Sequence, residues 1–428
     1  MKVVKSNMEK IAIIGTGIAG MGCAHFLHRK YDITMFEKNE YIGGHTNTVM
    51  VNEEGKQIPI DTGFMVFNHV TYPNLLRLFG ELQVPTKKTS MSFSVQHLPT
   101  GLEYAGTSLN HLFAQRRNLF SPHFILMLKQ IDRFNKESLE VLENPRYDSY
   151  TLEQYIEEKN FGREMLEKYL VPMSSAVWST PPDLMVRFPA KALIRFFQNH
   201  GFLGLNTQHQ WYTIDGGSQV YREKLIAPFR DKIHVKTPVV NVHRIERKTE
   251  IVTADGSRAL FDKVILASHA DESLAMLDQP TELEQKLLSA FSYQVNSATL
   301  HTDTSVMPKK KLAWSSWNYR IRPNSGTQPI TSTVYWMNSL QNMSKRRNYF
   351  LNINDREAVR KDTVLWEMDY THPVFSLEAS RAQKDLPKLN EHGPIYFCGS
   401  YFRYGFHEDA FTSAVELCKT ITGTRTWE

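Results

Sequence analysis

Cysteine is scarce in this sequence, whose 428 residues include only Cys23, Cys398 and Cys418. The three lie far apart and form no CxxC pair, a pattern that argues against a disulfide framework or a zinc site and for a reducing compartment. Long apolar runs are missing too, since no stretch approaches the roughly 18 to 20 residues of a membrane-spanning helix. The first residues also lack the apolar core of a signal peptide. We therefore expect a cytoplasmic protein, with peripheral contact to a membrane left open.

Charge of one sign is not in large excess. The chain has 50 Lys and Arg against 45 Asp and Glu, a net charge of +5, and the two signs are interspersed. This balance is weak evidence for a nucleic-acid partner, and we expect none. An anionic membrane surface or an acidic substrate is compatible with it. The hydrophobic fraction of 41% is typical of a globular protein, and the length suits two or three domains, or one large domain with an insertion.

The signatures of several common catalytic sites are absent. The sequence contains no HExxH, HxH, GxSxG or GxxxxGK[ST], which argues against zinc peptidases, α/β-hydrolases and P-loop proteins. His407, Glu408 and Asp409 are contiguous, so on a helix their side chains diverge and cannot converge on one ion. We predict no metal site.

The sequence does contain a strand–turn–helix–strand unit near its start. Ile11–Ile14 is an apolar, β-branched run typical of a buried parallel strand. Residues 21–30 have helical spacing, and residues 32–37 read as a second strand. The turn GTGIAG connects the first strand to the helix. The order and spacing predict a βαβ unit.

The GTGIAG turn supplies a dinucleotide-binding fingerprint at Gly15, Gly17 and Gly20. The first glycine permits the tight turn, the second lets the backbone approach a pyrophosphate, and the third allows close packing of helix on strand. The phosphate would lie at the helix N-terminus, where free N–H groups favour an anion. Glu37, at the end of the second strand, can bind the ribose hydroxyls and disfavours the 2′-phosphate of NADP. The unit therefore predicts a dinucleotide site.

A second glycine pair, Gly43-Gly44, follows in the stretch EKNEYIGGHTNTV. A fold that binds only NAD needs no further glycine turn here. A flavin fold does, because the longer cofactor continues past the pyrophosphate. An ordinary surface turn is the alternative, since glycine pairs favour turns, and this stretch alone leaves both interpretations open.

Together, GTGIAG, Glu37 and GGHT resemble the superfamily of flavin-dependent amine oxidases, protoporphyrinogen oxidases and phytoene desaturases. Within it, GGHTNTV and the tail YGFHEDAFTSAVE are most similar to the bacterial NAD/FAD-binding, amine-oxidoreductase-like proteins often encoded near cyclopropane-fatty-acid synthases. The resemblance covers essentially the whole chain and implies FAD, bound noncovalently because no cysteine lies in a flavin-linking motif. It departs at His45, where the superfamily usually has arginine, and a histidine makes the electrostatics there pH-sensitive.

The resemblance also implies where the cofactor is held. Residues 63–66, in IDTGFMVFN, would lie beside the flavin ring, and Val239 would pair its backbone with the adenine. The helix that starts near Glu408 would direct its N-terminus at the flavin, where the dipole stabilises negative charge. Each segment also has a plainer interpretation as a turn, a core strand or a helix cap. The cofactor-binding residues implied are Gly15, Gly17, Ile18, Ala19, Gly20, Glu37, Lys38, Gly43, Gly44, His45, Thr46, Gly63, Phe64, Met65, Val66, Val239, Gly399, Asp409, Ala410 and Phe411.

The substrate side rests on fewer residues. Hydride transfer to a flavin needs a substrate C–H held at roughly 3 to 3.5 Å in a dry pocket, which the inserted segments would build. His301 falls roughly where similar amine oxidases have a lysine near the flavin, and it is the candidate catalytic base or water anchor. A structural strand histidine is the alternative. The mixture of cations and apolar residues in RRNLFSPHFILML fits either an anionic lipid surface or a solvated loop before a buried helix.

We expect an α/β fold with a Rossmann-like FAD-binding domain and a discontinuous substrate domain of mixed helix and sheet, as in amine oxidases. The FAD-binding domain is assigned to residues 1–75, 208–280 and 390–428, and the substrate domain to 76–207, mainly helical, and 281–389. The expected activity is oxidation or desaturation of a hydrophobic substrate, with a lipid acyl chain as the first candidate. A flavin amine oxidase for a small amine and a non-catalytic nucleotide-binding protein are the alternatives.

Overall fold

The structure, a computed structural model, describes residues 8–204, 207–326, 329–424 and 427. The ends of the assigned FAD-binding domain, residues 1–7 and most of 425–428, lie outside this part. In chain order, the strands are β1 Lys10–Ile14, β2 Asp32–Phe36, β3 Thr48–Glu53, β4 Lys56–Asp61, β5 Phe67–Asn68, β6 Thr86–Thr89, β7 Phe93–His97, β8 Leu102–Ala105, β9 Trp211–Ile214, β10 Ile233–His234, β11 Val239–Ile245, β12 Lys248–Thr253, β13 Arg258–Phe261, β14 Lys263–Leu266, β15 Ser292–His301, β16 Trp317–Arg322, β17 Ile330–Trp336, β18 Phe350–Ile353, β19 Val364–Val374 and β20 Ile395–Phe397.

Helices connect and cover these strands. The α-helices are α1 Ile18–Leu27, α2 Pro73–Glu81, α3 Leu109–Leu112, α4 Pro122–Glu137, α5 Glu140–Glu143, α6 Leu152–Glu158, α7 Arg163–Met165, α8 Val171–Trp178, α9 Pro182–Met185, α10 Ala190–Asn199, α11 Gln219–Ile226, α12 Ala270–Met276, α13 Glu282–Leu288, α14 Met337–Gln341, α15 Leu377–Ala382 and α16 His407–Thr422. A π-helical segment, Leu166–Leu170, joins α7 to α8. Short 3-10 segments lie at Arg116–Phe120, Pro145–Ser149, Ala227–Lys232, Thr304–Val306, Lys311–Ala313, Arg356–Ala358, Lys361–Thr363, Leu386–Asn390 and Ser400–Phe402.

A five-stranded parallel sheet carries the glycine turn. Its strand order is β10-β2-β1-β14-β20, so strands from both ends of the chain and from its middle lie in one sheet. Residues Ile11–Ile14 of β1 are buried, as expected for a strand that pairs on both sides, with β2 and with β14. The predicted parallel βαβ unit is confirmed.

The first helix is displaced from its predicted position. Helical spacing predicts residues 21–30, whereas α1 begins directly after Gly17 and ends at Leu27. The difference arises because Gly17 is itself the N-cap, so the glycine turn leads into the helix without a linker. α1 packs closely on α16, and a Cβ at Gly22 would lie 2.9 Å from the ring of Phe411.

The chain is mainly helical between residues 109 and 199. Ser121 caps α4, as predicted, and its hydroxyl accepts from the N–H of Phe124 at 3.3 Å. Thr151 and Gln154 form the predicted capping box of α6. Among the described residues, no helix is both long and apolar enough to cross a bilayer.

A second large sheet has the order β19-β15-β18-β17-β16-β7-β8. Its strands come from residues 93–105 and 292–374, so two distant parts of the chain share this sheet. Smaller sheets are β11-β12-β13, β5-β9-β6 and the hairpin β3-β4. The predicted α/β class with a discontinuous mixed region is confirmed, while the exact domain boundaries stay a prediction.

Candidate functional site

The GTGIAG turn has two glycines that the fold requires for packing. Gly15 has φ +101°, and a Cβ there would lie 2.8 Å from the carbonyl oxygen of Ala267 on the neighbouring strand connection. A Cβ at Gly20 would overlap the carbonyl oxygen of Gly15. Gly17 differs, since a Cβ there meets nothing within 4 Å. The backbone at Gly17 therefore faces open space at the N-terminus of α1, where Ile18, Ala19 and Gly20 form the first turn.

Glu37 is held by the glycine turn itself. Its carboxylate is buried, and Oε2 accepts from the N–H of Thr16 at 3.0 Å and from the Thr16 hydroxyl at 2.6 Å. Oε1 accepts from the N–H and the side chain of Asn39, both at 2.9 Å. Glu37 thus fixes the turn at the end of β2, where the ribose acid is expected. Thr16 was not predicted, although a hydroxyl between two fingerprint glycines is a signal that could have identified it.

The second glycine pair lies against the first glycine turn. The Gly43 N–H donates to the Thr16 hydroxyl at 3.3 Å. A Cβ at Gly44, whose φ is +58°, would lie 3.3 Å from the Cα of Gly17. The two glycine loops therefore form one continuous strip of bare backbone, which is the shape that the approach of a long phosphate-containing ligand requires.

Residues 63–66 continue this strip. The Phe64 N–H donates to the carbonyl oxygen of His45 at 2.7 Å, and a Cβ at Gly63 would overlap that same oxygen. The carbonyl of Met65 accepts from the hydroxyl of Thr213 at 2.8 Å. The structure therefore brings the second glycine loop and the segment predicted beside the flavin ring into direct contact.

The closing helix α16 starts at His407, one residue before the predicted start. Asp409 accepts from the N–H of Phe406 at 3.0 Å and caps its own helix. Glu408 instead accepts from the N–H groups of Asn74 and Leu75, both at 2.9 Å, and so caps α2. Burial raises the pKa of Asp409 to about 7 and raises that of Glu408. The hydrogen bonds show that both acids cap helices. A contact between Asp409 and a cofactor stays a prediction.

His407 joins the closing helix to the opening loops. Its imidazole stacks on Phe64, with ring centroids 3.9 Å apart, and its Nε2 lies 2.6 Å from the hydroxyl of Tyr221. The Tyr221 hydroxyl in turn is hydrogen-bonded to that of Thr46. Burial lowers the pKa of His407 to about 3, so the ring is neutral near pH 7. Neither His407 nor Tyr221 was predicted, because nothing local in the sequence marks this pairing.

His45 lies at the centre of a group of uncharged side chains. It stacks on Tyr370 at 4.9 Å and lies 5.1 Å from the ring of His372, while its Nε2 is buried and has no hydrogen-bond partner among the described residues. The pKa of His45 lies well below its usual value. Burial is the main cause, and His372, His269 and His407 add to it. His45 therefore takes up a proton only at more acid pH than an ordinary histidine does, so the pH sensitivity expected here moves to acid pH. Its unpartnered nitrogen is a buried polar atom in the segment that follows the second glycine pair.

Other predicted cofactor residues have packing or surface roles in the structure. Val239 is buried at the start of β11, and Lys38 forms an exposed ion pair with Glu272 at 2.5 Å. Ala410 and Phe411 are buried in the core, where Phe411 meets α1. The N–H of Gly399 donates to the hydroxyl of Ser413 at 2.9 Å, which ties β20 to α16. Their contacts with a cofactor stay predictions.

The structure does not bring His301 together with these loops. It is fully buried at the end of β15, its Nδ1 accepts from the N–H of Asp303 at 3.1 Å, and its ring stacks on Phe350 at 5.6 Å. Burial lowers its pKa to about 4. These surroundings are those of a structural strand histidine, and its catalytic role stays a prediction.

The residues present fit a flavin dinucleotide. Gly17 and Gly44 offer a cradle that a side chain would fill, and α1 offers a free helix N-terminus for a pyrophosphate. Glu37 lies at the end of β2, and its contact with a ribose stays a prediction. The N-terminus of α16 and the loop at Phe64 converge through His407 at the other end of the strip. A flavin bound there would supply two-electron, hydride-accepting chemistry.

Fold and site together fit a flavin-binding protein. The sequence profile described as "Flavin containing amine oxidoreductase" matches residues 18–422, and the chain belongs to this family. A curated relative, 1-hydroxycarotenoid 3,4-desaturase from Flavobacterium sp. (strain P99-3), is 27% identical over 126 residues, which is 27% of this chain and 25% of the relative. The match thus spans about a quarter of that protein's length.

Solved structures share the fold over nearly the whole chain. Wild-type putrescine oxidase bound to putrescine has a TM-score of 0.67 at 14% identity, covering 97% of this chain and 99% of that one. A CLA-producing fatty acid isomerase from P. acnes has a TM-score of 0.67 at 14% identity, covering 98% and 99%. At these identities the likeness shows the fold alone, and it confirms the amine-oxidase-like architecture.

Proposed function

We propose that this protein binds FAD noncovalently and oxidises or desaturates a hydrophobic substrate, with a lipid acyl chain as the leading candidate. The observation that carries the proposal is the aromatic side chains and neutral imidazoles around the convergence of the opening loops and α16. Family membership supports the flavin chemistry. The noncovalent state, the identity of the flavin and the substrate class are inferences from the residues.

The position of Cys398 supports noncovalent binding. Its sulfur is fully buried and lies 3.7 Å from that of Cys23, in the core between β20 and α1. The hydrogen bond with the Cys23 thiol, and then burial, raise the pKa of Cys398 well above its usual value, so the nucleophilic thiolate is disfavoured. The thiol therefore faces the core and is inert at neutral pH.

An aromatic wall supports a hydrophobic substrate. Phe406, directly before α16, stacks on Phe196 of α10 at 4.9 Å and lies 6.0 Å from Trp178 of α8. The Trp178 indole N–H donates to the carbonyl of Tyr404 at 3.1 Å, which satisfies its polar edge. The helical insertion thus presents aromatic faces to the N-terminus of α16, where burying an alkyl chain is favourable by about 0.8 kcal/mol per CH₂.

Two buried histidines at the site, His372 and His407, are neutral near pH 7, whereas Asp409 is about half ionised there. Burial lowers the pKa of His372 to about 4 and that of His407 to about 3. Burial raises the pKa of Tyr370, and it places that of Asp409 at about 7. The neutral imidazoles favour a neutral, apolar substrate, and Asp409 is the group that a small charged amine would contact instead.

The names of two similar proteins agree with this substrate class. One is a carotenoid desaturase, and the other is a fatty acid isomerase. Putrescine oxidase, which shares the fold equally well, represents the alternative of an amine substrate. The substrate assignment therefore rests on the site lining, and the names serve only to define which compounds to test.

Anaerobic reduction of the bound flavin tests the proposal. Purified protein is mixed without oxygen with fatty acids and acyl phospholipids, with small amines, or with buffer, and the flavin absorbance is followed. We expect bleaching by acyl compounds and none by amines. Bleaching by amines alone would show an amine oxidase, and a flavin that no compound class reduces would favour a non-catalytic role.

A further inference from the structure

A cluster of exposed apolar side chains lies on the helical insertion, far along the chain from the glycine loops. Phe120 is 87% exposed and Leu109 is 75% exposed, and they are joined by Leu126 at 54% and Leu119 at 47%. These four residues come from α3, the 3-10 segment Arg116–Phe120 and the first half of α4. We call them, with the cations described next, the docking surface. Leu119, Phe120 and Leu126 line one groove, and exposed apolar side chains that lie together in this way mark interaction surfaces.

The charge along this stretch of the sequence is of one sign. Residues 104–131 contain Arg116, Arg117 and Lys129 and not a single Asp or Glu, although acids nearly equal bases in the chain as a whole. All three cations are exposed. Arg116 and Arg117 donate to uncharged oxygens, those of Asn110, Phe113 and Gly101, so their charge is not neutralised by a carboxylate there. The docking surface is therefore apolar at its centre and cationic at its rim.

Two cavities of about 380 Å³ each open on this surface, and Phe120 and Ser121 line both. One is mainly apolar, with Leu119, Ile125 and Leu126, and has Lys129 at its edge. The other has Arg117, His123, Lys168 and Glu164 in its polar walls, where Glu164 pairs with Lys168 and lies 3.8 Å from His123. An apolar groove with Lys129 in its lining, beside a polar groove in which Arg117 is the unmatched cation, fits the two parts of an anionic phospholipid, its acyl chain and its phosphate.

We propose that the docking surface binds the protein reversibly to the surface of an anionic phospholipid bilayer. Phe120 and Leu119 enter the boundary between headgroups and acyl chains, and Arg116, Arg117 and Lys129 lie against the phosphates. Apolar insertion and cationic attraction each give only weak membrane binding, and the combination is what holds a protein at the surface. The proposal does not depend on the substrate proposed above, because it concerns binding alone.

Co-sedimentation of the full-length protein with lipid vesicles tests this inference. We expect binding to vesicles of phosphatidylcholine mixed with phosphatidylglycerol, little binding to phosphatidylcholine alone, and loss of binding as salt is raised. Phe120→Ser should weaken binding about tenfold, and Lys129→Gln about fivefold. Leu260→Ser is the matched control. Leu260 is half exposed, as Leu119 and Leu126 are, but it lies on β13, and the variant should bind vesicles as the wild type does.

Several results would overturn the inference. Absence of wild-type binding to the anionic vesicles is one, and equal binding by Phe120→Ser and the wild type is another. A dimer in solution that Phe120→Ser dissociates would show that the surface pairs two copies of the chain. Flavin content, measured on the same samples, must be equal in all variants, so failure here is distinct from failure of the proposed chemistry.

Discussion

The imidazole of His407 lies flat on the ring of Phe64, with centroids 3.9 Å apart and planes within 9° of parallel. The two residues come from opposite ends of the chain, one from the helix that closes the fold and one from the loop beside the second glycine pair. Their stack fixes the distance between those elements. We expect His407→Ala to lower the affinity of the apoprotein for FAD about tenfold, because the loop loses both its stacking partner and the contact with Tyr221.

His407→Phe is the companion variant, since it retains the ring but not the hydrogen bond to Tyr221. We expect it to keep most of the affinity in an FAD titration followed by fluorescence. Equal losses in the two variants would show that stacking on Phe64 does not organise the site.

Gly17→Val tests the glycine cradle. A Cβ at Gly17 meets no protein atom within 4 Å, and its φ of −62° suits any residue, so the variant should fold normally. The added side chain would occupy the space in which the pyrophosphate approaches, and we expect colourless protein with a melting temperature close to that of the wild-type apoprotein.

The control for this variant is Gly80→Val, because a Cβ at Gly80 is equally free of contacts but lies on α2. It should retain full flavin absorbance. A yellow Gly17→Val protein would refute the assignment of this loop to the cofactor.

Cys398→Ser tests the noncovalent attachment. Because the sulfur is in the core against Cys23, we expect the variant to keep its flavin content while losing about 1 kcal/mol of stability, the cost of a hydroxyl in a buried, weakly bonded place. Acid precipitation should release all flavin from both proteins. Flavin that remains with the precipitate of the wild type and not of the variant would contradict the noncovalent proposal.

His301→Phe tests the neutral histidine of β15 by its pH dependence. The pKa of His301 is lowered to about 4 in the folded protein, while the unfolded chain takes up the proton near pH 6.5. The stability due to neutral His301 is therefore fully present above about pH 6.5 and is lost as the pH falls toward 4. Between about pH 7 and pH 5 the loss is about 2 kcal/mol.

The variant lacks this titration. The difference in free energy of unfolding between the wild type and His301→Phe should therefore fall by about 2 kcal/mol between about pH 7 and pH 5. Urea unfolding at each pH measures it. A difference that does not change with pH, together with a slower reduction of the flavin by substrate in the variant, would return His301 to the catalytic role predicted from the sequence.

Local patterns predicted the parts of the site that backbone geometry dictates. The tight turn at Gly15 and the close packing at Gly20 follow from rules of spacing, and both have the expected surroundings. Glu37 is bonded to the turn through Thr16, while its contact with a ribose stays a prediction. The caps at Ser121 and Thr151 were predictable for the same reason, since each depends on residues at most three apart.

Contacts between distant segments could not be predicted in this way. The stack of His407 on Phe64, the hydrogen bond from His407 to Tyr221 and the pairing of Cys23 with Cys398 join residues separated by 186 positions or more. Only the three-dimensional fold brings them together. His301 shows the converse, because its position in the sequence suggested a site residue, whereas in the structure it is buried at the end of β15.

The central claim is that the two glycine loops and α16 hold one FAD molecule. The most direct test is the absorption spectrum of the purified wild-type protein, with the chromophore then released by acid and identified by chromatography. The account predicts a yellow protein that releases close to one equivalent of FAD. A colourless protein that takes up no FAD on titration, or one that releases only a nicotinamide dinucleotide, would contradict it.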